Sequence, residues 1–565
     1  MAMTATSRSE AAVLDQGCVV VSVGGQTVAL FADDGVVRAV DNRCPHMGFP
    51  LHRGSVCDGI LTCHWHHARF DLASGGTLDQ WADDVPAFPV EIRDGEVFVD
   101  VAPQRDERAH RRRRLRDGLE RNISLVIAKS AIALTPEDTD AVFEAGLEFG
   151  VRASADGWGQ GLTILTALRN LLPLLEPDER AHALHHGLAA VASDCDGMPP
   201  RHPVAPLPSQ VRDADTVERW FRRCVEVRDA EGAERAIASA VRGGEAPGRV
   251  AAMLYAAATD HRYLTTGHVL DFTTKSLEAL DHAGWAHAEV VLGSLARLYA
   301  EADRAEESNQ WRSPVDLVAI LDEAFALMPE ALAGPRQRWT PPDGLTELLL
   351  GDEPRAIAAA LLDALRAGAA PADVAAEVTY AAAMRIARFP VTNEFTDWDT
   401  ALHTFTFANA VEQGLLRTGS AELVRGVFDA AMSVFLDRFL NTPPARLPNG
   451  DGEGGSRDRL FELLDRQQQV DAAGSLTAGW LDDGDDAPAV ISALVTALLR
   501  EDRNFHTIQM IEAAVRQHGS MPPERGRLVL IAGARYLAAH APTARAQTQT
   551  YRIAWRLNRG ETLFE

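Results

Sequence analysis

Apolar positions along this chain change their period near residue 103. Between residues 18 and 101 they come in short runs: Cys18-Val-Val-Val-Ser-Val23, Thr27-Val-Ala-Leu-Phe31, Val90-Glu-Ile-Arg93 and Val97-Phe-Val99. Gly24-Gly25, Asp34-Gly35 and Asp94-Gly95 separate or flank these runs. Dipeptides of this kind turn the backbone tightly, so the runs predict β-strands joined in hairpins. After Pro103, Ala, Leu and Val recur at helical spacing for over 400 residues, which predicts an essentially all-α remainder. At the junction stand Arg105, Arg108, Arg111 to Arg114, Arg116 and Arg121. Such a run reads as a solvated helical connector, or else as a dock onto the acidic bulk of the same chain. The expected fold is multidomain: a small all-β domain at 1–103, an arginine-rich connector at 104–122, and a large all-α domain at 123–565.

Breaks rich in Pro and Gly at 198–208, 329–343 and 442–456 divide the helical part. Within it, Arg235-Ala-Ile-Ala238, Ala246-Pro247 and His268-Val-Leu-Asp-Phe272 find counterparts in Arg355-Ala-Ile-Ala358, Ala370-Pro371 and His403-Thr-Phe-Thr-Phe407. The offset drifts from 120 to 135 residues, as loop insertions would cause. Fainter copies begin at Gln160 and at Phe505-His506. A period this long indicates duplicated helical units, at about 140–200, 235–330, 355–445 and 486–565, rather than a short solenoid repeat.

A length of 565 residues agrees with several domains. The formal charge of −25 disfavours nucleic acid and anionic lipid as partners. With no long uncharged apolar run and no secretion signal, neither a membrane nor export is expected. Six cysteines without a CxxC pair suit a reducing cytoplasm. Lysine occurs only at 129 and 275, every other basic residue being arginine, which with the abundant Ala suggests a GC-rich bacterial genome.

Chemistry concentrates first in Cys44-Pro45-His46 and, sixteen residues on, Cys63-His64-Trp65-His66. Two thiolates and two imidazoles at this spacing suit a [2Fe–2S] centre in which histidines replace the cysteines of one iron. Zinc sites usually keep Cys with Cys. Cys57 reads as a core thiol. The stretch Cys63-His-Trp-His-His-Ala-Arg-Phe-Asp-Leu-Ala-Ser-Gly75, with Cys44-Pro-His-Met-Gly upstream, closely resembles the Rieske ferredoxins and the Rieske domains of ring-hydroxylating oxygenases over about residues 10–102. The resemblance implies cluster ligation by Cys44, His46, Cys63 and His66. Respiratory Rieske proteins add a disulfide between the two loops, and Phe49 and Trp65 stand at those positions here. That implies the lower-potential type, toward roughly −150 mV, suited to feeding an oxygen-activating centre. Where this family usually has Gly after the last ligand, the chain has His67.

An electron carrier fused to a large second part implies an acceptor. One candidate is Asp281-His282-Ala-Gly-Trp-Ala-His287, which looks like the iron-binding segment of ring-hydroxylating oxygenases. That family's catalytic domain is built on a sheet, and a spacing of five places the two histidines on different helix faces. The other is the recurrence of His268, His403 and His506, each expected to open a helix and each followed four residues later by Phe272, Phe407 or Met510, with Gln160 in the degenerate copy. Around a common axis these imidazoles would meet. With a carboxylate from Asp271, Glu394, Asp397 or Asp399 they would suit a non-haem iron, whereas histidines satisfied within their own helix pairs would only record ancestry. His261 is a further candidate, and Glu179-x-x-His182 is one half of a di-iron signature without its second half. The order of His-led helices over 240–520 loosely resembles the questin oxidase-like proteins, which implies oxygenation of a polycyclic aromatic with His268, His403 and His506 in the pocket.

The expected function is a cytoplasmic Rieske-linked oxidoreductase, an oxygenase acting on a small apolar or aromatic molecule. No GxGxxG follows a strand, so a separate reductase should supply electrons. Two other readings stand beside it: a non-catalytic electron carrier or sensor whose helical repeats are a docking scaffold, and a helical domain working on an organic substrate without a second metal.

Overall fold

The computed structural model describes residues 3–102, 105–208, 213–450, 454–482, 487–561 and 563. The expected limits at 1, 103/104, 486 and 565 lie outside the described residues. Two compact units emerge, one of residues 1–145 with 546–565 and the other of residues 146–545.

The first unit contains every strand among the described residues, in three antiparallel sheets. Cys18–Val23, Gln26–Asp33, Val36–Asp41 and Ala87–Phe88 form one; Thr4–Ser9, Glu96–Val99 and Val90–Arg93 a second; Ser55–Cys57, Ile60–Thr62 and Arg69–Asp71 the third. The predicted hairpins are present, with φ of 58° and 83° at Gly24-Gly25, 46° and 79° at Asp34-Gly35, and 50° and 77° at Asp94-Gly95. Asp58-Gly59 makes a fourth turn of this kind, at 49° and 74°. Alternation along the strands sends Val21, Val28, Leu30, Val97 and Val99 into one core and Leu61 and Phe70 into another, which Leu72 and Val85 join from outside the strands and which also encloses Cys44 and Cys63.

The arginine-rich segment is a helix, Glu107–Glu120, capped by the Asp106 side chain. One face of it is buried rather than solvated. His110 Nε2 lies 2.7 Å from Asp83, Arg111 pairs with the same carboxylate, and Arg114 approaches it to 3.4 Å while donating to the carbonyls of Gln80 and Ala82. Helix Ser124–Leu134 packs beside it, and Ala546–Asn558 packs in turn against Ser124–Leu134 in the same unit.

The second unit is helical throughout among its described residues. Both central copies place their matching residues on three successive helices: Ala230–Arg242, Pro247–Ala258 and His268–Ala283 in one, Pro354–Arg366, Pro371–Ala387 and Phe395–Thr418 in the other. The break expected from 329 begins later, because Pro329 lies inside the helix Leu317–Leu332. His268 opens its helix and His506 is second in Phe505–Ser520, but His403 sits two turns into Phe395–Thr418. A capping box of Glu394 and Asp397 starts that helix early. No described helix is long and apolar enough to cross a membrane.

Candidate metal centres

Cys44 and Cys63 each lead a loop off the sheets, and the two loops are built alike. Cys44 N–H donates to the Phe49 carbonyl and Cys63 N–H to that of Ala68, both at 2.8 Å. Gly48 N–H returns to the Cys44 carbonyl at 2.8 Å and His67 N–H to that of Cys63 at 2.9 Å. Gly48 and His67 thus stand at the same place, four residues after the cysteine, and both are left-handed, with φ of 85° and 61°. His46 follows its cysteine by two residues and His66 by three, and their rings meet edge to face at 4.9 Å. Phe49 and Trp65 lie with ring centres 6.0 Å apart between the loops.

Both sulfurs are almost wholly buried, Cys44 2% and Cys63 1% exposed, whereas His66 is exposed and His46 half-buried. The thiols touch: their mutual hydrogen bond, with burial, raises Cys44, and the same contact pulls Cys63 down to about 6 against its burial. Backbone N–H groups of His46 and Met47 point at the first sulfur and those of Trp65 and His66 at the second. Burial, then the charge of Lys129, pushes His46 down to about 4, so its ring is neutral at physiological pH. Its Nδ1 is buried without a hydrogen-bond partner among the described residues. Two sulfurs in a cradle of N–H donors beside an unsatisfied neutral imidazole fit an iron–sulfur cluster with mixed Cys and His ligation. Cys57, expected in the core, is exposed at the end of Ser55–Cys57.

In the helical unit, His268, His403 and His506 converge from three helices, with one ring nitrogen of each within 4.8 Å of the others. His403 and His506 approach Nε2 to Nε2 at 2.8 Å, and the His268 ring lies 4.6 Å from His403 and 6.1 Å from His506. Burial first, then the neighbouring rings, lowers His268 to about 3; the same causes bring His403 to about 4. His506 is lowered as well, chiefly by burial. Three neutral imidazoles on one point are the donor set of a first-row transition metal. Phe272 and Phe505 flank the His268 ring, each at 5.4 Å.

The backbone ahead of His268 is strained: Tyr263, Thr265 and Thr266 have φ of 41°, 45° and 52°, in a region β-branched residues avoid. Gly267, at 92°, ends this turn where a Cβ would come within 2.8 Å of Phe407 Cβ, so the first helix can close on the one carrying His403. Asp399 Oδ2 stands 3.5 Å from His506 Nδ1; its other oxygen accepts from Tyr536 and lies 3.3 Å from His540. Tyr536 and His540 carry no repeat signal and were not legible in the sequence. Of the other carboxylates considered, Glu394 and Asp397 cap their helix, and Asp271 accepts from Gln509 at 2.6 Å. Burial raises Asp271 to about 7.

The remaining candidates separate. His282 meets Asn170 at 2.7 Å, Asp281 pairs with Arg417, and His287 lies 3.7 Å from Glu148 in a separate short turn, Trp285–His287. His261 contacts Glu226 and Glu306, each at 2.7 Å. Glu179 accepts from Thr496 at 3.3 Å while His182 meets His186 at 3.2 Å. Gln160 is exposed at the start of Gln160–Leu171.

Comparison with known proteins bears on the β domain. A profile of the Rieske [2Fe-2S] domain family matches residues 6–89. Human apoptosis-inducing factor 3 is 34% identical over 85 residues, 15% of this chain and 14% of that protein. The chain thus spans about one-seventh of the length of that relative. The ferredoxin component of the naphthalene 1,2-dioxygenase/salicylate 5-hydroxylase systems of a Ralstonia species is 33% identical over 95 residues, 16% of this chain and 91% of its own length. Among solved structures, a ferredoxin of Sphingomonas yanoikuyae B1 is 28% identical, covering 18% of this chain and all of that one, with a TM-score of 0.17. Through its N-terminal domain, with a [2Fe–2S] cluster as cofactor and electron transfer as its chemistry, the chain belongs to the Rieske family.

Proposed function

We propose that this protein is a cytoplasmic Rieske-linked oxygenase in which electrons from a separate reductase pass through the N-terminal domain to a non-haem iron held by His268, His403 and His506. Cys44, His46, Cys63 and His66 are the cluster ligands in this reading. The cluster, when bound, supplies one electron at a time. The chain's own residues do the rest. Buried cysteines keep the sulfur side out of water, and the exposed His66 edge is where a partner or acceptor would exchange electrons. In the helical unit the three imidazoles stay neutral and aim one nitrogen each at a common point, while Asp399 orients the His506 ring from its far side. Phe272 and Phe505 suit an apolar or aromatic substrate beside that point. The observation that carries the reading is the convergence of three neutral histidines from three helices within 4.8 Å. Kinship with the ferredoxin component of a dioxygenase system supports the oxygenase part.

The direct 2.8 Å contact of His403 with His506 favours a second reading, in which the pair is satisfied without metal and the helices serve as a docking scaffold. Stopped-flow reoxidation separates the two. Full-length protein reduced anaerobically is mixed with oxygen, and the cluster's visible absorption is followed. An exit through the histidines predicts at least a tenfold slower reoxidation in His268→Ala/His403→Ala. Equal rates in both proteins would favour the scaffold.

A further inference from the structure

Lys129 lies in the middle of the helix Ser124–Leu134, beyond the stretch matched by the Rieske profile. Its Nζ donates to the carbonyl of Pro45 at 2.6 Å and to that of His46 at 2.5 Å, in the first of the two loops. Among the described residues no carboxylate comes within salt-bridge distance of it. The nearest acid by its electrostatic effect, Asp83, is already engaged by His110, Arg111 and Arg114. A cation without its own counter-ion is therefore fixed one peptide from a histidine of the cluster site.

The choice of residue points the same way. Lysine occurs at only two positions in a chain that otherwise uses arginine. The second, Lys275, is buried between Glu278 at 2.9 Å and Glu512 at 2.8 Å. An ammonium is a compact point charge with three donors that fits between two converging carbonyls. A reduced cluster carries one more negative charge than an oxidised one, so a fixed positive charge nearby stabilises the reduced form more. A cavity of about 360 Å³ lined by Cys44, Pro45, Asp83, Arg111 and Lys129 gives this region some polar screening, which keeps the effect moderate.

We propose that Lys129 is a positioning residue for the cluster, holding the Pro45–His46 turn and raising the reduction potential through its fixed charge. The inference rests on the Rieske domain alone and is independent of any second metal. It is tested on full-length protein by anaerobic redox titration followed by electron paramagnetic resonance, with iron and sulfide content confirming that the cluster is loaded. At a fixed solution potential the reduced-to-oxidised ratio should fall about tenfold in Lys129→Gln, equivalent to about 59 mV for a one-electron couple. Lys129→Arg, which keeps the charge, should stay within about twofold of the native ratio. The proposal is overturned if Lys129→Gln titrates with the native protein. It is equally overturned if only Lys129→Met shifts, since the carbonyl contacts rather than the charge would then be responsible.

Discussion

His67 is the residue at which this domain departs from its own internal pattern. Gly48 holds the matching place in the other ligand loop, and both positions need left-handed backbone, at φ of 85° and 61°. A side chain there costs about 1–2 kcal/mol, against about 0.5–1 kcal/mol of extra chain entropy for glycine. His67→Gly should therefore raise the stability of the loaded protein by about 0.5–1 kcal/mol, read as a higher thermal midpoint with the cluster's absorption unchanged; a lower midpoint would mean that the His67 side chain makes a compensating contact. At this scale the candidate cluster site was legible as a pattern, because two loops built alike set the spacing of Cys44, His46, Cys63 and His66. Lys129 was not. A single charged residue 83 positions from the carbonyl it binds leaves no pattern in the chain.

Elements are held together here by charges whose partners are distant in sequence. The helix Glu107–Glu120 docks through Asp83, whose carboxyl burial would raise but His110, Arg111 and Arg114 together hold well below the usual carboxylate range. A depressed carboxylate contributes stability that is present above its unfolded value near pH 4 and is lost as the pH falls through its folded value. Asp83→Asn removes the carboxylate shared by Arg111 and the buried Arg114, so it should cost about 3 kcal/mol at pH 7. The gap between variant and native protein should narrow below about pH 4 in denaturant titrations, and a gap independent of pH would show that packing rather than charge holds the helix. From sequence the arginine run read as solvated because its register toward Asp83 depends on tertiary placement. Helices that carry the three histidines were better marked, since each repeated His and the apolar residue four places on share a face. His403 still fell inside its helix rather than at its start, and Asp399 gained Tyr536 from the helix Pro523–Ala539 and His540 from its C-cap, positions with no matched counterpart in the other copies.

For the whole molecule, a one-electron domain is joined to a helical unit that gathers three neutral imidazoles. The β domain and the helical character of the rest were readable from the change in hydrophobic period at residue 103, whereas what the helical unit does depends on how distant helices converge. A metal held by this convergence is what would make the helical unit the electron acceptor. The most direct test is iron and acid-labile sulfide per chain in anaerobically purified protein and in the His268→Ala/His403→Ala variant. About three irons and two sulfides in the native chain, falling to about two irons with sulfide unchanged in the variant, is the predicted result. About two irons and two sulfides in both would leave the cluster as the sole metal centre and rule out a metal held by the three histidines.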